Sequence, residues 1–202
     1  MNTKKFMACM YLKNEVAYQD REGTCRIEEM PVALAESENE CDAIYVGLLS
    51  ENDAEHEKDL DVLREICQNT AVPVIGSGHI FRMEDVKKLL YAGCQQVMLD
   101  YADPVQLTKE VSLKFGKEKI AAGVADISLL EQEKELLKEY TSNVFLFCPG
   151  ATAEAALMSP VSVVTFLPEV SLEKLIEVLS YANISGISGK LVNENITEIS
   201  AI

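Results

Sequence analysis

Short apolar runs alternate with amphipathic stretches from one end of this chain to the other, and that alternation limits the folds open to it. The runs are Lys5–Leu12, Ala43–Leu49, Val72–Gly76, Gln96–Asp100, Lys119–Val124, Asn143–Cys148, Val161–Phe166 and Ile184–Ser188. Each is rich in Val, Ile, Phe or Ala and bounded by Gly, Pro, Asn or charges, which reads as a strand. Between them Ala54–Thr70 and Met83–Ala92 carry apolar stripes at helical spacing, the first capped by Asn52 or Asp53 and the second stopped by Gly93. Further helices are expected at Pro104–Phe115, Leu129–Tyr140, Thr152–Met158 and Leu172–Ala182, with a stub near Asn193.

Strands that alternate with helices form a parallel sheet, and near-continuous apolar strands require cover on both faces. Eight strand–helix units are the number that closes a (βα)8 barrel. Spread over 202 residues they allow about 25 residues each, so the expectation is a single α/β domain over residues 1–202 with short loops. An open doubly wound sheet is the competitor, but it normally carries a G-x-G-x-x-G turn after its first strand, and Tyr11-Leu12-Lys13-Asn14-Glu15 is nothing like one. The stretch from Val72 through Met83 to Leu90 also echoes the stretch from Ser159 through Leu172 to Leu179: strand, turn, then a helix of the same phase. A spacing near half the chain suits a barrel of two duplicated halves.

Charge narrows the function. Lys+Arg 18 against Asp+Glu 33 leaves a net charge of −15, which excludes a phosphate-backbone interface and disfavours anionic membrane surfaces. No apolar run is long enough to span a bilayer, and the opening MNTKKFMACMYLKNE makes a poor signal peptide, so a cytoplasmic setting is expected. The six cysteines lack C-x-x-C spacing and only two histidines accompany them. That predicts reduced thiols acting as small hydrophobes, with no metal site and no cofactor. The acidic run Glu51–Asp61, with His56 inside it, lacks the spacing and glycine of a calcium loop and is expected to be a solvated helix face.

Barrel chemistry sits at the C-terminal ends of the strands. That selects Tyr11 and Lys13, Leu49 and Ser50, Ser77 to His79, Asp100 and Tyr101, Asp126, Cys148, Thr165, and Gly189-Lys190. The segment Val72-Pro73-Val74-Ile75-Gly76-Ser77-Gly78-His79-Ile80, then Met83-Glu84-Asp85-Val86-Lys87-Lys88-Leu89-Leu90 and Ala92-Gly93-Cys94, resembles a family of histidine biosynthesis. It is the phosphoribosyl isomerase and imidazole glycerol phosphate synthase cyclase-subunit family, with its V-P-V-I-x-G-G-G-I…L-E-D-I-K-K-L-L-x-A-G-A pattern. Ala8-Cys9-Met10-Tyr11-Leu12-Lys13 is similar to the family's P-C-L/I-D-x-K opening, and Ile184-Ser185-Gly186-Ile187-Ser188-Gly189-Lys190 to its G-V-I-V-G-K ending. The likeness covers nearly the full chain and weakens after about residue 125.

The resemblance implies a ribulose-phosphate-binding type of barrel in which two aspartates, ending strands one and five, act as acid and base on a sugar phosphate. Here the first position is Tyr11, whose phenol, with an ordinary pKa near 10, cannot serve as a carboxylate base. The second falls on Ala125 or, with a one-residue bulge, Asp126. Asp126, Lys13 and Asp100 are the remaining catalytic candidates, and Asp126 competes with a plain helix-capping role. Ser77, Gly78, His79, Gly189 and Lys190 are the candidate phosphate contacts, since glycine exposes backbone N–H groups at a helix start. Asp100 would repel phosphate, and Thr165-Phe166-Leu167-Pro168 replaces the glycines of the seventh-strand cradle.

The likeness therefore implies a barrel that kept the fold and shed paired-aspartate chemistry. The run from Gly78 to Cys94 also resembles the N-terminal region of the bifunctional phosphoribosyl-AMP cyclohydrolase/phosphoribosyl-ATP diphosphatase, a hydrolase. The expectation is the N-terminal domain of a longer chain that scaffolds or regulates such a partner domain, with phosphate or a phosphoribosyl ligand at its mouth. An active aldose–ketose isomerase and a ligand-free homo-oligomerisation domain are the alternatives.

Overall fold

The computed structural model describes residues 4–38, 40–100, 105–167 and 172–189. Among the described residues nine strands and eight α-helices follow one another as β1 (Lys5–Lys13), β2 (Val16–Tyr18), α1 (Pro31–Ser37), β3 (Ala43–Leu48), α2 (Asp53–Asn69), β4 (Val74–Ser77), α3 (Met83–Ala92) and β5 (Gln96–Asp100). They continue as α4 (Val105–Phe115), β6 (Ile120–Val124), α5 (Ser128–Gln132), α6 (Lys134–Tyr140), β7 (Asn143–Leu146), α7 (Thr152–Met158), β8 (Ser162–Phe166), α8 (Leu172–Ser180) and β9 (Ile184–Ser188).

Every strand except β2 runs parallel to its neighbours. The ladder passes from β1 through β3 in chain order to β9 and closes where Lys5, Phe6 and Met7 pair with Gly186, Ile187 and Ser188. The eight parallel strands form a closed ring, and the molecule is a (βα)8 barrel. The period of two along each strand sorts its side chains. Met7, Cys9 and Tyr11 of β1 point into the barrel with Tyr45, Ile75, Met98, Ala121, Phe145, Val164 and Phe166. Ala8, Met10, Leu12, Ile44, Val46, Val97, Ile120, Val144 and Val163 point outward under the helices. The two echoing stretches hold the third and seventh places of the eight-strand ring, half a turn apart, as two duplicated halves require.

All eight expected strands are present. Asn52 caps α2, its side chain accepting from the N–H groups of Ala54 and Glu55. Gly93 ends α3 at φ 119°. Three expectations need correction. The loops are not uniformly short: residues 14–38 leave the barrel as the strand β2, paired antiparallel to β1, and the helix α1, which starts on Pro31 and buries only that residue and Ala35. The helix expected at Leu129–Tyr140 is two, because Glu133 leaves helical geometry at φ −111°, ψ 22°, with no Gly or Pro to announce it. The acidic run is not wholly solvated, since α2 buries both His56 and Asp59. The stub near Asn193 lies outside the described residues.

Candidate functional site

The inward row nearest the C-terminal mouth starts from residues whose strand parity leaves them no other place to go. Tyr11 and Tyr45 lie edge to face with centroids 5.9 Å apart, and Tyr45 makes a second such contact with Phe166 at 5.1 Å. Phe147 stacks on Phe166 at 4.4 Å. Gly47 makes room for this packing: a Cβ there would come within 2.6 Å of the Tyr11 ring. Tyr11 is thus part of a buried aromatic cluster, and burial raises the phenol pKa of both Tyr11 and Tyr45 further above its ordinary value. Burial likewise pushes the Cys9 thiol up to about 12.

Ser77 turns the same way. Its Oγ lies 2.6 Å from the Tyr45 hydroxyl, with Tyr45 2% and Ser77 3% exposed, so the pair satisfies itself inside the barrel. Above it the excursion between β2 and α1 crosses the mouth. Arg21 sits 4.8 Å from the Phe147 ring centroid and donates to Asp100 Oδ2 at 2.8 Å. Gly123 lies under Asp100, where a Cβ would come within 2.9 Å of Asp100 Oδ1. Asp20 anchors the excursion by accepting from the Thr24 hydroxyl and the Thr24 and Cys25 backbone N–H groups.

The β4–α3 turn carries Gly78 and His79, both left-handed at φ 94° and 53°. Only glycine fits at 78, where a Cβ would fall 2.0 Å from the Leu48 carbonyl oxygen. The His79 imidazole is drawn sideways: Nε2 is 2.9 Å from Asp53 Oδ1, and the ring stacks on His56 at 4.5 Å and meets Phe81 edge-on. Asp85 accepts from the Phe81 and Arg82 N–H groups, donors that a bound anion at the start of α3 would otherwise use. A cavity of about 120 Å³ remains here, lined in part by His79, Leu99, Asp100 and Thr108.

The other candidates are scattered. Lys13 donates to Glu51 Oε1 at 2.6 Å, and that hydrogen bond raises its pKa. Asp126 is exposed and accepts from the Ser128 N–H at 2.9 Å, which lowers its carboxyl pKa and starts α5. Gly189, at φ 149°, repeats the geometry of Gly78, because a Cβ would lie 2.0 Å from the Leu167 carbonyl oxygen. It borders a cleft of about 840 Å³ over the mouth, lined also by Cys9, Tyr11, Arg21, Phe147 and Phe166. Lys190 and Tyr101 lie outside the described residues.

Sequence reasoning missed Tyr45, Arg21 and Phe147. The period of two does turn Tyr45, the ladder partner of Cys9, to the same barrel face as Tyr11, whereas Arg21 sits in a stretch with no periodicity to read. Comparison with known families matches residues 7–145 to the model described as histidine biosynthesis protein. The chain belongs to this histidine biosynthesis family. No curated protein matches it. The match spans β1 to the middle of β7 and so includes the mouth positions Tyr11, Ser77, Asp100 and Asp126. No helix among the described residues is long and apolar enough to cross a membrane.

Proposed function

We propose that this histidine-biosynthesis barrel does not run paired-aspartate isomerase or cyclase chemistry and serves instead as a scaffold or regulatory module for a histidine-pathway hydrolase. One observation carries the reading: a buried phenol, packed on Tyr45 and unable to ionise near neutrality, occupies the position where a carboxylate would have to exchange a proton with substrate. The other acids are engaged elsewhere, Asp100 with Arg21 and Asp126 with the start of α5. The likeness of Gly78 to Cys94 to the N-terminal region of the bifunctional cyclohydrolase/diphosphatase supports that choice of partner.

A phosphoribosyl ligand is the second reading, favoured by the open cleft of about 840 Å³ that Gly189 borders. Incubation with the isomerase and cyclase substrates tests the first claim. No turnover is expected, and turnover that disappears on Asp126→Asn overturns it. Calorimetry with ribose 5-phosphate separates the two roles: no heat at millimolar ligand leaves a scaffold, and saturable heat that Arg21→Ala, a change in the lining of the same cleft, abolishes assigns a ligand site.

A further inference from the structure

Two cysteines far apart in sequence meet outside the barrel. Cys67 lies on the last turn of α2, partly exposed, and Cys94 is buried just after α3. The two side chains are neighbours: a Cβ built on Gly93, the residue before Cys94, would lie 3.4 Å from the Cys67 sulfur, and each thiol shifts the pKa of the other. Both are held by backbone that has no room to retreat. Gly93 packs directly against Cys67, since a Cβ at 93 would fall 2.7 Å from the Cys67 Cβ, and φ 119° demands glycine there in any case. On the other side the Cys94 sulfur rests on β4, where a Cβ at Gly76 would come within 2.7 Å of it. The turn between them is pinned by Gly93 N–H to Leu90 and Cys94 N–H to Leu89.

We propose that Cys67 and Cys94 form an oxidisable dithiol, a modification site at which a peroxide closes a reversible disulfide. The two sulfurs have unlike surroundings. The neighbouring Cys94 thiol holds the Cys67 thiol below its ordinary pKa, while Cys67 and burial together hold Cys94 well above. Cys67, the more accessible thiol, is the nucleophile. Its thiolate attacks one peroxide oxygen, the O–O bond breaks, and Cys67 becomes a sulfenic acid as hydroxide leaves and takes up a proton to become water. The Cys94 sulfur then attacks the Cys67 sulfur, the S–OH bond breaks, and the hydroxide takes the Cys94 proton as a second water. Two thiols lose two electrons, and one hydrogen peroxide is reduced to two waters. The bond ties the end of α2 to the joint between α3 and β5.

The other cysteines differ. Cys41 donates its thiol to the carbonyls of Glu38 and Ala43, at 2.9 and 3.1 Å, and Cys25 is exposed on the excursion over the mouth. The experiment therefore uses the chain with Cys25→Ser, treated with hydrogen peroxide at neutral pH. The thiol titre should fall from five to three, with a peptide linking residues 67 and 94, and a dithiol reductant should restore it. With Cys94→Ser added, residue 67 should become labelled by a sulfenic-acid reagent; with Cys67→Ser, Cys94 should stay alkylatable after unfolding. If a serine variant fails to fold, the peptide map of the Cys25→Ser chain decides. Cys67 and Cys94 both still alkylatable at a dose that oxidises Cys25 in the parent chain, or a link from either to another cysteine, overturns the proposal.

Discussion

The hydroxyl pair Tyr45–Ser77 decides whether the barrel interior is a self-satisfied core or a binding surface, and a double-mutant cycle reads it directly. The two oxygens are 2.6 Å apart, and neither residue is more than 3% exposed. Tyr45→Phe deletes one oxygen while keeping the ring on Tyr11 and Phe166, so its main effect is to leave the Ser77 hydroxyl unpaired in a dry site. Such a group costs about 1–3 kcal/mol. Ser77→Ala leaves the Tyr45 phenol in the same position and should cost a similar amount. In the double variant both polar groups are gone and the shape is nearly kept, which is close to neutral. Urea unfolding should therefore give a coupling of roughly 2–6 kcal/mol between the two sites, the sum of the two single costs. For a chain of this length each single variant should also melt about 2–12 °C lower, at 2–4 °C per kcal/mol. Additive effects, within about 0.5 kcal/mol, would refute the interior pairing. So would a Ser77→Ala variant of unchanged stability that binds ribose phosphate less well.

Three further outcomes follow from single positions. His56 is 1% exposed with neither ring nitrogen hydrogen-bonded among the described residues, and burial, then the neighbouring His79 and Lys88, lower its pKa below 6.5 against the opposing pull of Asp85 and Glu57. A lowered folded-state pKa means the unfolded chain binds the proton more readily. The stability His56 contributes is therefore complete above about pH 6.5 and lost as pH falls below it. Unfolding midpoints from pH 7.5 to 5 should drop less steeply in His56→Leu, and an unchanged slope would rule this out. Gly78→Ala, which sets a Cβ 2.0 Å from the Leu48 oxygen at φ 94°, should cost about 3 kcal/mol or more. Gly150→Ala, with nothing within 4 Å, should stay within about 0.5 kcal/mol in the same denaturation assay.

The architecture was open to a reader of the residues because a parallel barrel writes itself locally. Each buried strand is a short apolar run, each covering helix a stripe of period 3.6, and Asn52 and Gly93 mark helix ends with their own chemistry. The elements that escaped are those whose stability is not local. β2 is three residues long and exists by pairing with β1, while α1 buries two residues. Asp59 shows the same limit. Among acids it looks like one more solvated charge, yet it is wholly buried, accepting from the Glu15 N–H at 2.8 Å and the Ser50 hydroxyl at 2.7 Å. Those partners come from the β1–β2 turn and from the end of β3, which no helical period can foresee.

At the mouth the division is sharper. Residue identity alone established that position 11 offers a phenol and not a carboxylic acid, because the two differ in pKa wherever the chain puts them. Which way Ser77 turns, what Asp100 pairs with, and that Arg21 lies over Phe147 were settled only by closure of the ring. Closure brings side chains tens of residues apart to within a hydrogen bond of one another, and it removes the water that would otherwise compete for their polar groups.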